Sequence, residues 1–76
     1  MAAPPADGVI EAATAWLTAG GDGRLGPEPT IDRLLAVGRR FAFHTSSTVT
    51  HVSGMASIAA DGSVHEITTH SDGGLG

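Results

Sequence analysis

A chain of 76 residues with a formal net charge of −4 and no cysteine has room for one small domain, and none for a disulfide, a thiolate metal site or a cysteine nucleophile. Its four basic residues are all arginines, which excludes lysine chemistry, and eight carboxylates against them leave no cationic face suited to nucleic acid. The opening "MAAPPADGVIEA" lacks the basic and apolar regions of a signal peptide, no stretch is apolar over the length of a bilayer, and the cysteine-free composition fits a cytoplasmic chain.

Residues 1–7, rich in proline and small side chains, are expected to be a disordered lead-in to a single α+β domain over 8–70. Asp7 offers a helix N-cap, and Val9, Ile10, Ala13, Trp16 and Leu17 follow at helical spacing, which predicts a helix over about 8–19. Gly20 and Gly21 supply the left-handed conformations that end it. Pro27 and Pro29 then bar a helix interior, Thr30 can cap, and Ile31, Leu34 and Leu35 again fall at helical spacing. A second helix is therefore expected from Thr30 to about Gly38.

From Phe41 the period changes. Phe41 and Phe43 alternate with Ala42 and His44, and β-branched residues dominate the remainder, which predicts strands near 40–46, 49–59 and 63–70. Asp61-Gly62 is the turn signal between the last two. Residues 71–76, "SDGGLG", are expected to be a flexible tail. The predicted fold is α+β: two N-terminal helices followed by a small antiparallel β-meander, in the order α-α-β-β-β.

With a helix on each side, "TAGGDGRLGPEP" resembles the helix–loop–helix of an EF-hand. Calcium requires six to eight oxygens, which an EF-hand loop supplies from alternating positions and a terminal bidentate acid. Aligning Asp22 with the fifth loop position places Gly20 third, Gly26 ninth and Pro29 where the bidentate acid belongs. Only Asp22, the Arg24 carbonyl and Thr18 could contribute, so no calcium site is expected. Glycines and prolines explain the stretch as a tight connection.

The four histidines, His44, His51, His65 and His70, all lie in the strand-rich part, and imidazole is a common metal ligand. A two-residue Asp61-Gly62 turn pairs Ser53 with His70 and brings His51, His70 and Asp72 together as a candidate metal site. A three-residue loop with a glycine bulge instead groups His51 with His65 and turns His70 to the other face. No cofactor is implied by any motif. Catalysis can be assembled on paper from "HTSS" (His44 to Ser47), or from Ser57 with His65 and Glu66, but no nucleophile elbow accompanies either, and independent enzyme activity is not expected.

Trp16, Phe41 and Phe43 are the large aromatics available to a partner interface. Few large apolar side chains, no covalent staple and two unprotected sheet edges favour association, with a sheet edge or the Phe41/Phe43 region buried between chains. The expected function is a non-catalytic accessory or interaction module that associates with a partner protein or with itself, without nucleic acid or membrane. The alternative is a small ligand- or metal-binding domain using the histidine-bearing sheet.

Overall fold

The computed structural model describes residues 6–71. One helix, α1 (Val9–Thr18), is followed by four strands, β1 (Thr30–Val37), β2 (Arg40–Ser46), β3 (His51–Ile58) and β4 (Val64–Ser71). The strands form one antiparallel sheet in the order β1-β2-β3-β4. The helix lies across one face of β1, β2 and β3. The opposite face carries no other element of the described chain. No helix among the described residues is long and apolar enough to cross a membrane.

Helix α1 presents Val9, Ala13 and Leu17, spaced by four, as fully buried residues, while Ile10 turns outward. Asp7 does not cap it. Gly8 is the N-cap, with φ 79 and no side-chain hydrogen bond. The entry is held instead by Ala6, whose N–H donates to the Gly38 carbonyl at 2.8 Å and whose carbonyl accepts from Val9.

Facing the helix, β2 contributes Phe41, Phe43 and Thr45, and β3 contributes Val52, Ala56 and Ile58. Trp16 meets Phe41 and Phe43 edge-on, with ring centroids 6.0 and 5.9 Å away. Leu25 folds back from the glycine-rich connection and is fully buried in the same core. The one buried polar side chain among the described residues, Thr45, donates to the Val52 carbonyl.

The second helix predicted over Thr30–Gly38 does not exist. That stretch is β1, and the order is α-β-β-β-β rather than α-α-β-β-β. The reason is a bulge. Ile31 pairs with Thr45 and Arg33 with His44, so Asp32 is an extra residue on β1. It lengthens the step between successive core-facing residues from two to three at Ile31–Leu34. Ile31, Leu34 and Leu35 therefore imitate a helical stripe, although Leu35 points away from the core and is 60% exposed. Gly38, read as a helix stop, is the first residue of a two-residue hairpin turn between Val37 and Arg40. Its φ of 59, with Arg39 outside the left-handed region, matches a type II′ turn.

Both registers foreseen for the β3–β4 hairpin occur, one on each side of a second bulge. Next to the turn Ile58 pairs with Val64 and Ser57 with His65, leaving a three-residue loop, Ala60 to Gly62, between Ala59 and Ser63. Glu66 and Ile67 then together face Ala56, with Glu66 at φ 52. Beyond them Ser53 pairs with His70. The bulge cancels the offset introduced at the loop.

Candidate functional site on the open sheet face

Strand alternation and the two bulges decide what the uncovered face displays. Three cross-strand rows run over it: Val37–Arg40–Ser57–His65, Leu35–Ala42–Met55–Thr68 and Arg33–His44–Ser53–His70. His51, opposite Ser46, lies beyond the third row. All four histidines thus share one face. His65 and His70, five residues apart, would lie on opposite faces of a regular strand. The extra residue at Glu66 brings them to the same side.

The middle of this face is apolar. Leu35, Val37 and Met55 are 60, 48 and 55% exposed and are grouped around Ala42. The surface is shallowly concave there. A depression of about 300 Å³ is bordered by Leu35, Val37, Arg40, Ala42 and Met55. A second, of about 330 Å³, runs on to Ser53, Thr68 and His70.

At one end of the face, the bulge aims Asp32 at the neighbouring strand. Its Oδ2 lies 3.2 Å from His44 Nδ1, and both side chains remain partly exposed. The His44 and His51 rings are parallel, with centroids 6.0 Å apart and an interplanar angle of 8°. One potential ligand atom from each of Asp32, His44 and His51 lies within 4.8 Å of the other two. Of the set expected to gather, His51 belongs to this cluster. His70 shares the face and stands diagonally from His51 across the β3–β4 pair, but it is separated from His44 by Ser53 and is not part of the cluster. Asp72 lies outside the described residues.

Asp32 was missed in the sequence because it read as the polar side of a helix. The available signal was Gly38-Arg39 between two apolar runs, a Gly-X hairpin pattern that makes the preceding residues a strand.

Phe41 and Phe43, considered for an interface, are 1 and 4% exposed and belong to the chain's own core, with Trp16 packed against both. The glycine-rich connection leads from a helix into a strand, so the helix–loop–helix premise of the EF-hand resemblance fails. Asp22 accepts from Trp16 Nε1 at 3.3 Å and stands 3.9 Å from Arg24. The Gly20 and Gly21 carbonyls accept amides of the loop itself.

The serine arrangements proposed for catalysis do not form nucleophile–base pairs. Ser47 Oγ accepts from the Val49 and Thr50 amides and closes the β2–β3 turn. Ser57 Oγ reaches the His65 carbonyl and Glu66 Oε2, not an imidazole. Ser63 does approach an imidazole, at 2.6 Å from His65 Nε2. Its hydroxyl proton is donated to Asp61 Oδ1, however, so the imidazole must donate to the serine oxygen. A general base works in the opposite direction. The same contacts, first from the Ser63 hydroxyl and then from its amide, hold the Asp61 carboxyl below its ordinary value of 3.8.

No family model, curated protein or solved structure matches the chain. Its function has to be read from its own geometry.

Proposed function

We propose that the chain is a non-catalytic interaction module that associates with a second copy of itself through the open face of its sheet. The observation that carries this reading is the exposed group Leu35, Val37 and Met55 at the centre of a shallowly concave face that no described element covers. The sheet edges are poorer candidates, because β1 and β4 each carry a bulge that interrupts the ladder of a would-be partner. That shifts the interface from the edge and the Phe41/Phe43 region to the open face.

The charges on this face suit a copy of the same chain. Arg33 and Arg40 accompany Asp32 and Glu66, so a two-fold pairing can set opposite charges against each other around the apolar centre. The available area sets the strength. Four strands spaced at about 4.8 Å, each about 25 Å long, give a face of roughly 480 Å², or about 960 Å² over two copies. Specific interfaces begin near about 1,000 Å², which places the dimer at the weak, reversible end.

Sedimentation equilibrium tests this in a chelator-containing buffer. The wild-type chain should show a concentration-dependent monomer–dimer equilibrium, and Leu35→Glu should weaken it by at least about tenfold by burying an unpaired charge. A wild-type chain that stays monomeric at about 100 μM, a concentration at which weak specific pairs assemble, refutes the reading.

A further inference from the structure

We propose that Asp32, His44 and His51 bind one divalent first-row transition ion, zinc being the best match, with the remaining coordination position open. The inference goes beyond self-association and does not depend on it. Three adjacent strands supply the donors: β1 through its bulge, β2 through the residue opposite that bulge, and β3 through its first residue. Two imidazoles and a carboxylate are a donor set for zinc and its neighbours, and three protein ligands leave a fourth tetrahedral position available to water or to another ligand.

The distances fit a site that needs only a side-chain adjustment. Donors about 2.05 Å from a tetrahedral zinc stand about 3.3 Å from one another. His44 Nδ1 and Asp32 Oδ2 already have that spacing, at 3.2 Å. The largest separation within the trio is bounded at 4.8 Å, so at most about 1.5 Å has to close. His51 can supply that movement, since it is exposed at the end of its strand. The backbone beneath is fixed by continuous pairing of β2 with β3 from Arg40–Ser57 to Ser46–His51. A bound ion would tie edge strand β1 to β3 across β2.

A simple His44–Asp32 ion pair accounts for the shortest contact, but not for the extra residue that delivers Asp32 or for the second imidazole stacked beside the first. Bulges re-aim side chains where a strand must deliver one to a site. His65 and His70 provide internal controls, being on the same face but outside the cluster.

The test is a titration of the tag-free full chain with zinc chloride, followed by calorimetry and by imidazole 1H–15N spectra. Saturation at one zinc per chain is expected below about 100 μM, with the His44 and His51 nitrogens shifting together. Asp32→Asn, His44→Gln and His51→Gln should each weaken binding at least about tenfold, while His65→Gln and His70→Gln leave it within about twofold. If His44→Gln does not fold, His51→Gln at its exposed position carries the test. The same titration in Leu35→Glu should be unchanged, which separates this site from self-association. No saturable binding, binding that survives His51→Gln, or binding lost with His70→Gln overturns the proposal.

Discussion

Gly54 is where the fold is least tolerant of one added carbon. It lies in the middle of β3, opposite Phe43 on β2 and Thr69 on β4, and its φ is not in the left-handed range. Alanine can therefore adopt its backbone conformation, and the cost of Gly54→Ala is one of space. A Cβ there would stand 2.8 Å from Phe43 Cζ and 3.1 Å from Cε1, and would press harder still on the Thr68 carbonyl. Relaxed carbon contacts lie at about 3.5–4.0 Å, so the ring would have to retreat by about 0.7 Å or more. It has little room to do so, because Phe43 is 4% exposed and bordered by Trp16 and Phe41. Nor can the carbonyl rotate away without disturbing the pairing of β3 with β4.

Overpacking of this kind costs about 1–3 kcal/mol, offset by about 0.4–1 kcal/mol from the reduced freedom of the unfolded alanine chain. With the ring and the carbonyl both obstructed, the cost lies in the upper half of that range, and a net loss of about 1–2.6 kcal/mol lowers Tm by roughly 4–21 °C at this size. Thermal and urea melts, followed by circular dichroism and Trp16 fluorescence at one fixed protein concentration, measure it. In a Phe43→Leu background, itself less stable, the additional penalty of Gly54→Ala should shrink to the part due to the carbonyl. A Gly54→Ala protein as stable as the wild type, or more so, would refute the reasoning.

Two further expectations follow from side chains that hold turns. Arg39 donates from Nε to the Ile58 carbonyl and from Nη2 to the Ala59 carbonyl, both at 2.7 Å, and its own carbonyl accepts from Ile58, so the β1–β2 turn is clasped to the end of β3. Arg39→Ala should cost about 1–2 kcal/mol in a urea melt, discounted for exposure from the usual range for charged hydrogen bonds, with Arg39→Lys recovering less than half because it lacks the planar fork; no loss in either variant removes the clasp from the account. The Asp61 carboxyl, held down chiefly by the Ser63 hydroxyl, should titrate below 3.8 by NMR and move up in Ser63→Ala. Because the folded value is the lower one, its stabilisation of the turn is complete above the unfolded value and is lost as pH falls through the folded one, so the turn should loosen only in acid; a midpoint at or above 3.8 counts against it.

What the sequence revealed depended on whether the local period survived. Phe41, Phe43 and Thr45 alternate without interruption, and β2 occupies Arg40–Ser46, as the alternation suggested. The helix at Val9–Thr18 was equally readable, since Val9, Ala13 and Leu17 keep a strict spacing and two glycines follow. The failure came at Ile31–Leu35, where one inserted residue made a strand imitate a helix. A helix of only eight residues between Pro29 and Gly38 would also have been costly to nucleate, whereas a strand there pairs with β2 along its length apart from the one bulge. Pattern matching weighs neither consideration, because both depend on a partner strand remote in sequence.

The same interruptions explain why the candidate site was only half visible. Four histidines drew attention as soon as they were counted, but one bulge decides that two of them share a face and another decides which carboxylate joins a third, and no local signal announces either bulge. The Glu66 bulge decides that His65 and His70 share a face, and the Asp32 bulge sets Asp32 beside His44. Both extra residues are acidic, and both carry their carboxylates onto the open face, one to His44 and one to the Ser57 hydroxyl. The cost of each is a break in an edge ladder, and that break also discourages edge-to-edge pairing. One local device thus serves two ends in this chain: it interrupts the ladder of each edge strand, and it furnishes the face with the negative charge that its histidines and arginines lack.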